Sequence, residues 1–303
     1  MRPFQYHAPT SIHEAVALLA DKGLKARPLA GGTDLLVQLR GGAYDLDLIV
    51  DVKRIPELTR VTYDARNGLT VGAAVSCACL CEHPDVGAAY PALIDAASII
   101  GGTAVQGRAT LGGNLCNAAP SGDSIPAMIV LGATCTIAGP NGRRTLPAAA
   151  FCVGPGRTCL EVGEILVSVH FSPPRPNSGA RYLRFIPRGE MDIAVAGAGA
   201  YLELSDNGAT IADARIALSA VAPTSLLVEA AGAALVGAAP TEEAWAEAAG
   251  LAQDAARPIG DVRGTLAQRR HLVGVLVRRA LRGAAERAER ARIERSSGGK
   301  VDD

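Results

Sequence analysis

The sequence predicts an α+β protein, on three observations. The first fifty-odd residues alternate helix-like and strand-like segments. A stretch rich in Pro, Ser and Gly, Pro173 to Gly179, then interrupts the chain. Beyond it, strand-like runs come first and helical runs follow, the order of a separate α+β unit.

Taken in order, Ser11-Ile12-His13-Glu14 is a capping box. Ile12, Ala15, Val16 and Leu19 then make one apolar helical face, and Gly23 suits the C-cap. Ala26 to Ala30 is a short strand leading into Gly31-Gly32, and Leu35, Leu36 and Leu39 suggest a short helix after the glycines. Leu48 to Val52 is a buried strand, and Pro56 marks a boundary. Residues 60–75 form a hairpin turning at Asn67-Gly68. A short helix is expected around Leu80 and Cys81, and a longer one from Pro91 to Ile100, closed by Gly101-Gly102. A second glycine pair, Gly112-Gly113, is expected in a loop. Ile125 to Leu131 reads as a helix; Thr134 to Ala138, turning at Asn141-Gly142, and Glu164 to Phe171 read as strands. After the linker come strand-like segments at 180–185, 193–204 and 211–220, then helices at 242–255 and 266–285. The charged or small residues 287–303 are expected to be a disordered tail.

The totals narrow the function classes. With 30 Lys+Arg against 30 Asp+Glu the net charge is zero, so nothing points to nucleic acid or an anionic membrane. Aromatic residues are only 4%, too few for a base-stacking surface. No run approaches transmembrane length, the first residues lack an apolar signal core, and seven cysteines show no framework spacing. A cytoplasmic protein with reduced thiols is expected.

The two glycine pairs carry the chemistry. Each offers backbone N–H groups without an intervening Cβ, beside a hydroxyl, as in an anion cradle. Singly, either is more simply a turn. Two in one chain suit a ligand with two linked phosphates. Gly197-Ala198-Gly199 is no dinucleotide fingerprint, because Tyr201 to Leu204 continue as a strand instead of opening a helix.

The flanks make the pairs specific. Ala30-Gly31-Gly32-Thr33-Asp34-Leu35-Leu36, then Ala109-Thr110-Leu111-Gly112-Gly113-Asn114-Leu115-Cys116-Asn117-Ala118-Ala119-Pro120, then Asp123-Ser124-Ile125-Pro126 occur in that order. Together they resemble the FAD-binding medium subunit of the molybdenum hydroxylases, the family of xanthine dehydrogenase and aerobic carbon monoxide dehydrogenase. The resemblance continues through Phe151, Gly154 to Thr158, Gly163 to Leu166 and Met191 to Val195. It covers nearly the whole chain short of the segment after about Arg287.

The resemblance implies an FAD domain of the vanillyl-alcohol-oxidase type in two α/β subdomains, residues 1–56 and 57–176. A C-terminal α+β domain, an antiparallel sheet with helices, follows over 177–286. It implies that Ala30, Gly31, Gly32, Thr33, Asp34 and Leu35 line the FAD pyrophosphate from one side, and Thr110, Gly112, Gly113, Asn114, Asn117 and Ala118 from the other. Asp123 would hold the adenosine ribose; its alternative role is a helix N-cap. Leu166 would pack on the flavin or adenine. Arg184 would bring positive charge to the flavin, or else be a solvated strand residue.

The implied activity is electron transfer. A large partner subunit would carry the molybdenum cofactor and hydroxylate substrate, and a small one two [2Fe-2S] clusters, in a dimer of heterotrimers. This chain would hold FAD and pass electrons to NAD+, a quinone or another acceptor. Two alternatives stay open: a stand-alone FAD oxidase or dehydrogenase of the same fold, and a non-catalytic nucleotide-binding assembly module.

The remaining candidates are weaker. Cys77, Cys79 and Cys81 lack a fourth ligand and the usual metal spacing, and read as small buried residues. In one branch of the family, 4-hydroxybenzoyl-CoA reductase, an insertion after the second glycine pair carries a [4Fe-4S] cluster. Here Cys116 runs on to Asp123 without one, so no cluster is expected. No two of the five histidines have helix-ligand spacing, and His170 reads as a satisfied core residue. Arg269, Arg270, Arg278, Arg279 and Arg282 read as a solvated face, with subunit docking the alternative.

Overall fold

A computed structural model describes residues 2–298. The first unit is built from β1 (Gln5–His7), α1 (Ile12–Lys22), β2 (Ala26–Leu29), α2 (Leu35–Arg40) and β3 (Leu48–Asp51). Its three strands are parallel, in the order β1-β3-β2. The Ser11 hydroxyl accepts from the Glu14 N–H at the start of α1, and Gly23 closes the helix at φ 54°. Ala15, Val16 and Leu19 are buried with Ala26, Leu48 and Val50.

The second unit runs through α3 (Pro56–Thr59), β4 (Val61–Asp64), β5 (Gly68–Gly72), α4 (Cys77–Glu82), α5 (Pro84–Ala89), α6 (Pro91–Ala97), α7 (Thr103–Gln106), α8 (Leu111–Asn117) and α9 (Ser124–Val130). It continues with β6 (Thr134–Gly139), β7 (Gly142–Pro147), β8 (Cys152–Gly154), β9 (Arg157–Thr158) and β10 (Ile165–Phe171). Five strands form an antiparallel sheet, β4-β5-β10-β6-β7, and β8 and β9 pair separately. The turns at Gly68 and Gly142 need the positive φ, 88° and 104°, that glycine adopts freely. The largest apolar core among the described residues lies against this sheet, from Leu69 and Val71 through Leu93 and Met128 to Phe171.

The third unit holds β11 (Ser178–Phe185), β12 (Ala196–Leu204), β13 (Ile211–Ser219) and β14 (Leu226–Leu227), then α10 (Glu229–Leu235), α11 (Glu242–Ala255) and α12 (Leu266–Gly298). The sheet is antiparallel in chain order. α10 and α12 pack directly on it and α11 on them, while α6 and α9 of the second unit also pack against it. β12 is therefore buried almost throughout, and its glycines serve packing: a Cβ on Gly199 would sit 3.1 Å from the Pro126 carbonyl oxygen. The architecture is α+β.

Three expectations are corrected. Gly112 and Gly113 lie within helix α8, not in a loop, with Thr110 as its N-cap. Residues 287–298 continue helix α12 and are not a disordered tail; residues 299–303 lie outside the described residues. Arg287 holds this segment by a paired hydrogen bond to Asp95, at 2.7 and 3.0 Å, and Ala288 is fully buried. Arg269 is not solvated: it is 4% exposed and donates to the carbonyls of Val195 and Ala220 and to Asp261. Arg278 and Arg282 meet Glu242 at the surface.

Candidate functional site

Strands β2 and β3 run parallel and end together, so the loop after β2 opens at the carboxyl edge of its sheet, where ligands of such units bind. That loop is Ala30 to Asp34. Across from it stands the first turn of α8. Between them lies a cleft of about 420 Å³, the size of a cofactor pocket.

Of the residues expected at the site, Ala30, Gly31, Gly32, Thr33, Asp34, Leu35, Thr110, Gly112, Gly113, Asn114, Asn117 and Leu166 all line this cleft. The fold brings the two glycine pairs onto one cavity across seventy-nine residues of intervening chain. Partial burial beside the cleft raises the Asp34 carboxyl above its ordinary pKa, although the residue as a whole is exposed.

The glycines also serve close packing. A Cβ on Gly31 would lie 2.7 Å from the Arg108 carbonyl carbon and closer still to its oxygen. One on Gly112 would lie 2.6 Å from the Ala73 Cα. Their bareness lets the two walls touch each other and the β5 edge. Gly32 has φ 79°, which favours glycine at the turn itself.

The donors are unequally free. Among the described residues no turn, loop or cap hydrogen bond uses the N–H of Gly31, Gly32 or Thr33. The Gly113 N–H is taken, donating to the Thr110 hydroxyl at 2.9 Å. Asn114 is oriented by Ser124, whose hydroxyl donates to Oδ1 at 2.7 Å and leaves the Asn114 amide N–H groups for the cleft.

Three expected site residues stand off the cleft wall. Ala118 closes α8 in the left-handed region at φ 48°, and its carbonyl accepts from Gly156 at 3.0 Å. That bond ties the β8–β9 turn, with Arg157, to the cleft. Asp123 and Arg184 are brought to each other instead. They form an ion pair in which each side chain is 9% exposed. Tyr182 donates to the other Asp123 oxygen at 2.8 Å, and Ser219 lies 3.3 Å from the Tyr182 hydroxyl. Burial raises the Asp123 pKa, against the lowering by Arg184 and Tyr182. Asp123 caps no backbone N–H of α9, and Arg184 is not a solvated residue. A Cβ on Gly197 would enter this group, 2.5 Å from the Tyr182 hydroxyl.

Residues absent from the expectations also shape the site. Gln38 donates to Asn117 at 3.0 Å across the cleft. Arg27, stacked 4.2 Å over the Tyr44 ring, joins Arg157 as a cation on the cleft wall. Leu29, Ile100, Leu160 and Ile165 add apolar lining.

Cys77 is buried while Cys79 is exposed, and burial pushes the Cys77 thiol up to about 12. His170 lies 3.0 Å from the Thr70 hydroxyl. Among the described residues no group of three or more His, Cys, Asp or Glu could hold a metal, and no helix is long and apolar enough to cross a membrane.

The cleft fits a dinucleotide with an aromatic ring system: N–H groups at a bare turn that no turn, loop or cap bond among the described residues uses, amide donors opposite, two arginines and apolar surface. Comparison with known proteins narrows this class. Residues 2–176 match the FAD-binding domain of molybdopterin dehydrogenases, and residues 181–284 the C-terminal domain of carbon monoxide dehydrogenase flavoprotein. The carbon monoxide dehydrogenase medium chain of Hydrogenophaga pseudoflava is 36% identical, over 93% of this chain and 96% of its own. The xanthine dehydrogenase FAD-binding subunit of Escherichia coli O157:H7 is 37% identical, over 73% and 75%. A chain of the carbon monoxide dehydrogenase of Oligotropha carboxidovorans superposes with a TM-score of 0.90 at 32% identity, covering 94% of this chain and 99% of that one.

The chain therefore belongs to the family of FAD-binding medium subunits of molybdenum hydroxylases. It is an oxidoreductase subunit with an FAD-binding domain.

Proposed function

We propose that this chain carries FAD as the electron-transfer station of a cytoplasmic heteromeric molybdenum hydroxylase. It receives electrons from the two [2Fe-2S] clusters of a small partner subunit and delivers them to NAD+, a quinone or another acceptor. A large partner subunit holds the molybdenum cofactor and changes the substrate, and the complex is a dimer of heterotrimers. The domain limits in this reading are 1–56, 57–176 and, with the whole of α12 included, 177–298.

The observation that carries the reading is the convergence of both glycine pairs on one cleft in a chain of this family. FAD, when bound, supplies a ring system that exchanges electrons singly or in pairs. The residues supply its setting. Gly31, Gly32 and Thr33 offer backbone N–H groups to the diphosphate from one wall, with the Thr33 hydroxyl beside them. Asn114 and Asn117 offer side-chain amides from the other. Arg157 and Arg27 add positive charge, and Leu166 adds apolar surface to the cleft. Asp123 and Arg184 act as a buried neutral pair joining α9 to the C-terminal sheet.

The test is electron transfer in the assembled complex. With the small subunit pre-reduced and no acceptor present, the visible absorption of the flavin on this chain bleaches; an acceptor restores it. A flavin reduced as readily by a small organic substrate without partners favours the stand-alone enzyme. A flavin that no reduced partner bleaches favours the assembly module.

A further inference from the structure

Lys53 lies outside the cleft wall, yet it touches the cleft's first turn. Its Nζ donates to the Ala30 carbonyl at 3.0 Å and to Asp51 Oδ1 at 2.7 Å. The parallel register explains the meeting: Leu29 stands opposite Asp51, so Ala30 and Lys53 leave neighbouring strands at the same edge.

Asp51 in turn is held from three sides. The Tyr6 hydroxyl donates to Oδ2, while the Lys53 N–H and ammonium both donate to Oδ1. Asp51 is 7% exposed, and these bonds outweigh its burial and lower its pKa. Lys53 is thus a cation fixed on a buried anion, with one further donor aimed at Ala30.

We propose that Lys53 is a positioning residue for the diphosphate turn. The described residues contain no cis peptide bond, so the Ala30–Gly31 peptide is planar and trans. Pinning its carbonyl toward Lys53 turns the Gly31 N–H to the opposite side. That N–H enters no turn, loop or cap hydrogen bond among the described residues. Lys53 holds it ready before the anion arrives, so less ordering is needed on binding. The charge of Lys53 is largely matched by Asp51, so its effect is chiefly geometric.

This inference rests on the FAD reading above. The experiment titrates the full-length apo chain, wild type and variants, with FAD and separately with riboflavin, which lacks the phosphates. Lys53→Met and the milder Lys53→Gln weaken FAD binding about tenfold, the loss expected for one charge-assisted hydrogen bond. Both leave riboflavin binding unchanged, and Lys53→Arg restores most of the FAD affinity. If wild type binds FAD and both neutral variants match it, or if riboflavin affinity falls in proportion, the inference fails alone. A wild-type chain that binds no FAD overturns the FAD reading and this inference with it.

Discussion

Gln38 and Asn117 are joined by a 3.0 Å hydrogen bond, from Nε2 of the first to Oδ1 of the second, although 79 residues separate them. Gln38 sits on α2, the helix after the first glycine pair, and Asn117 ends α8, the helix carrying the second. The bond closes a bridge between the two cleft walls. Gln38→Ala weakens FAD affinity about fivefold, Asn117→Ala costs at least as much because it also removes an amide donor, and the double variant is little worse than Asn117→Ala. Calorimetric titration of the four proteins checks this; fully additive losses would show that the bridge does not act as a unit.

Gly31→Ala tests the contact between the walls. Its methyl group meets the Arg108 carbonyl, a backbone group that cannot swing aside. Thermal unfolding should fall by about 2–3 kcal/mol or more, with FAD affinity lost as the walls part. Gly107→Ala, where no atom lies within 4 Å and φ is −64°, is the matched control and leaves both unchanged.

Much of this site is legible in the chain before it folds, and the limits have physical causes. The first glycine pair announces itself because a strand and an apolar helical run frame it. The second misleads. Glycine has poor helix propensity, so Leu111-Gly112-Gly113-Asn114 reads as loop, while the Thr110 cap that starts the helix is one hydroxyl among several. Gln38, Lys53 and Ser124 are silent because each acts through one partner that only the fold supplies. Asp123 and Arg184 share that cause: nothing local pairs residues 61 apart. The end of α12 reads as disordered because its composition is charged. Its order comes from Asp95, Asp206 and the β11 backbone, all distant in sequence.

Truncation after Glu286 separates the two readings of the C-terminal segment. It removes Arg287, which is bidentate to a largely buried Asp95 and also donates to the Ala180 carbonyl at 2.6 Å. The unfolding midpoint should fall by roughly 5–10 °C, and Arg287→Leu alone should give a large part of it. An unchanged midpoint would mean that the last turns of α12 do not hold the C-terminal unit to α6.

Glu164 gives the cleft rim a pH signature. Both its oxygens accept from Arg144 at 2.7 Å, and these bonds hold its carboxyl below the ordinary value of 4.5. A depressed carboxylate stabilises the fold above its unfolded pKa, and that contribution fades as pH falls through the lower folded value. Glu164→Gln should cost about 1 kcal/mol near pH 7, a modest figure because the Arg144 end is screened by solvent. The difference from wild type should shrink steadily below about pH 4.5. Melting curves from pH 7 to 3 read it, and a constant difference over that range would assign the loss to packing instead.

The central claim is that both glycine walls enclose one FAD. The most direct measurement is the cofactor content of the purified full-length chain after saturation with FAD and removal of the excess. Denaturation should release one FAD per chain, and Gly31→Ala should release almost none. A colourless wild-type chain that retains no FAD, while folded as judged by its melting transition, would contradict the account.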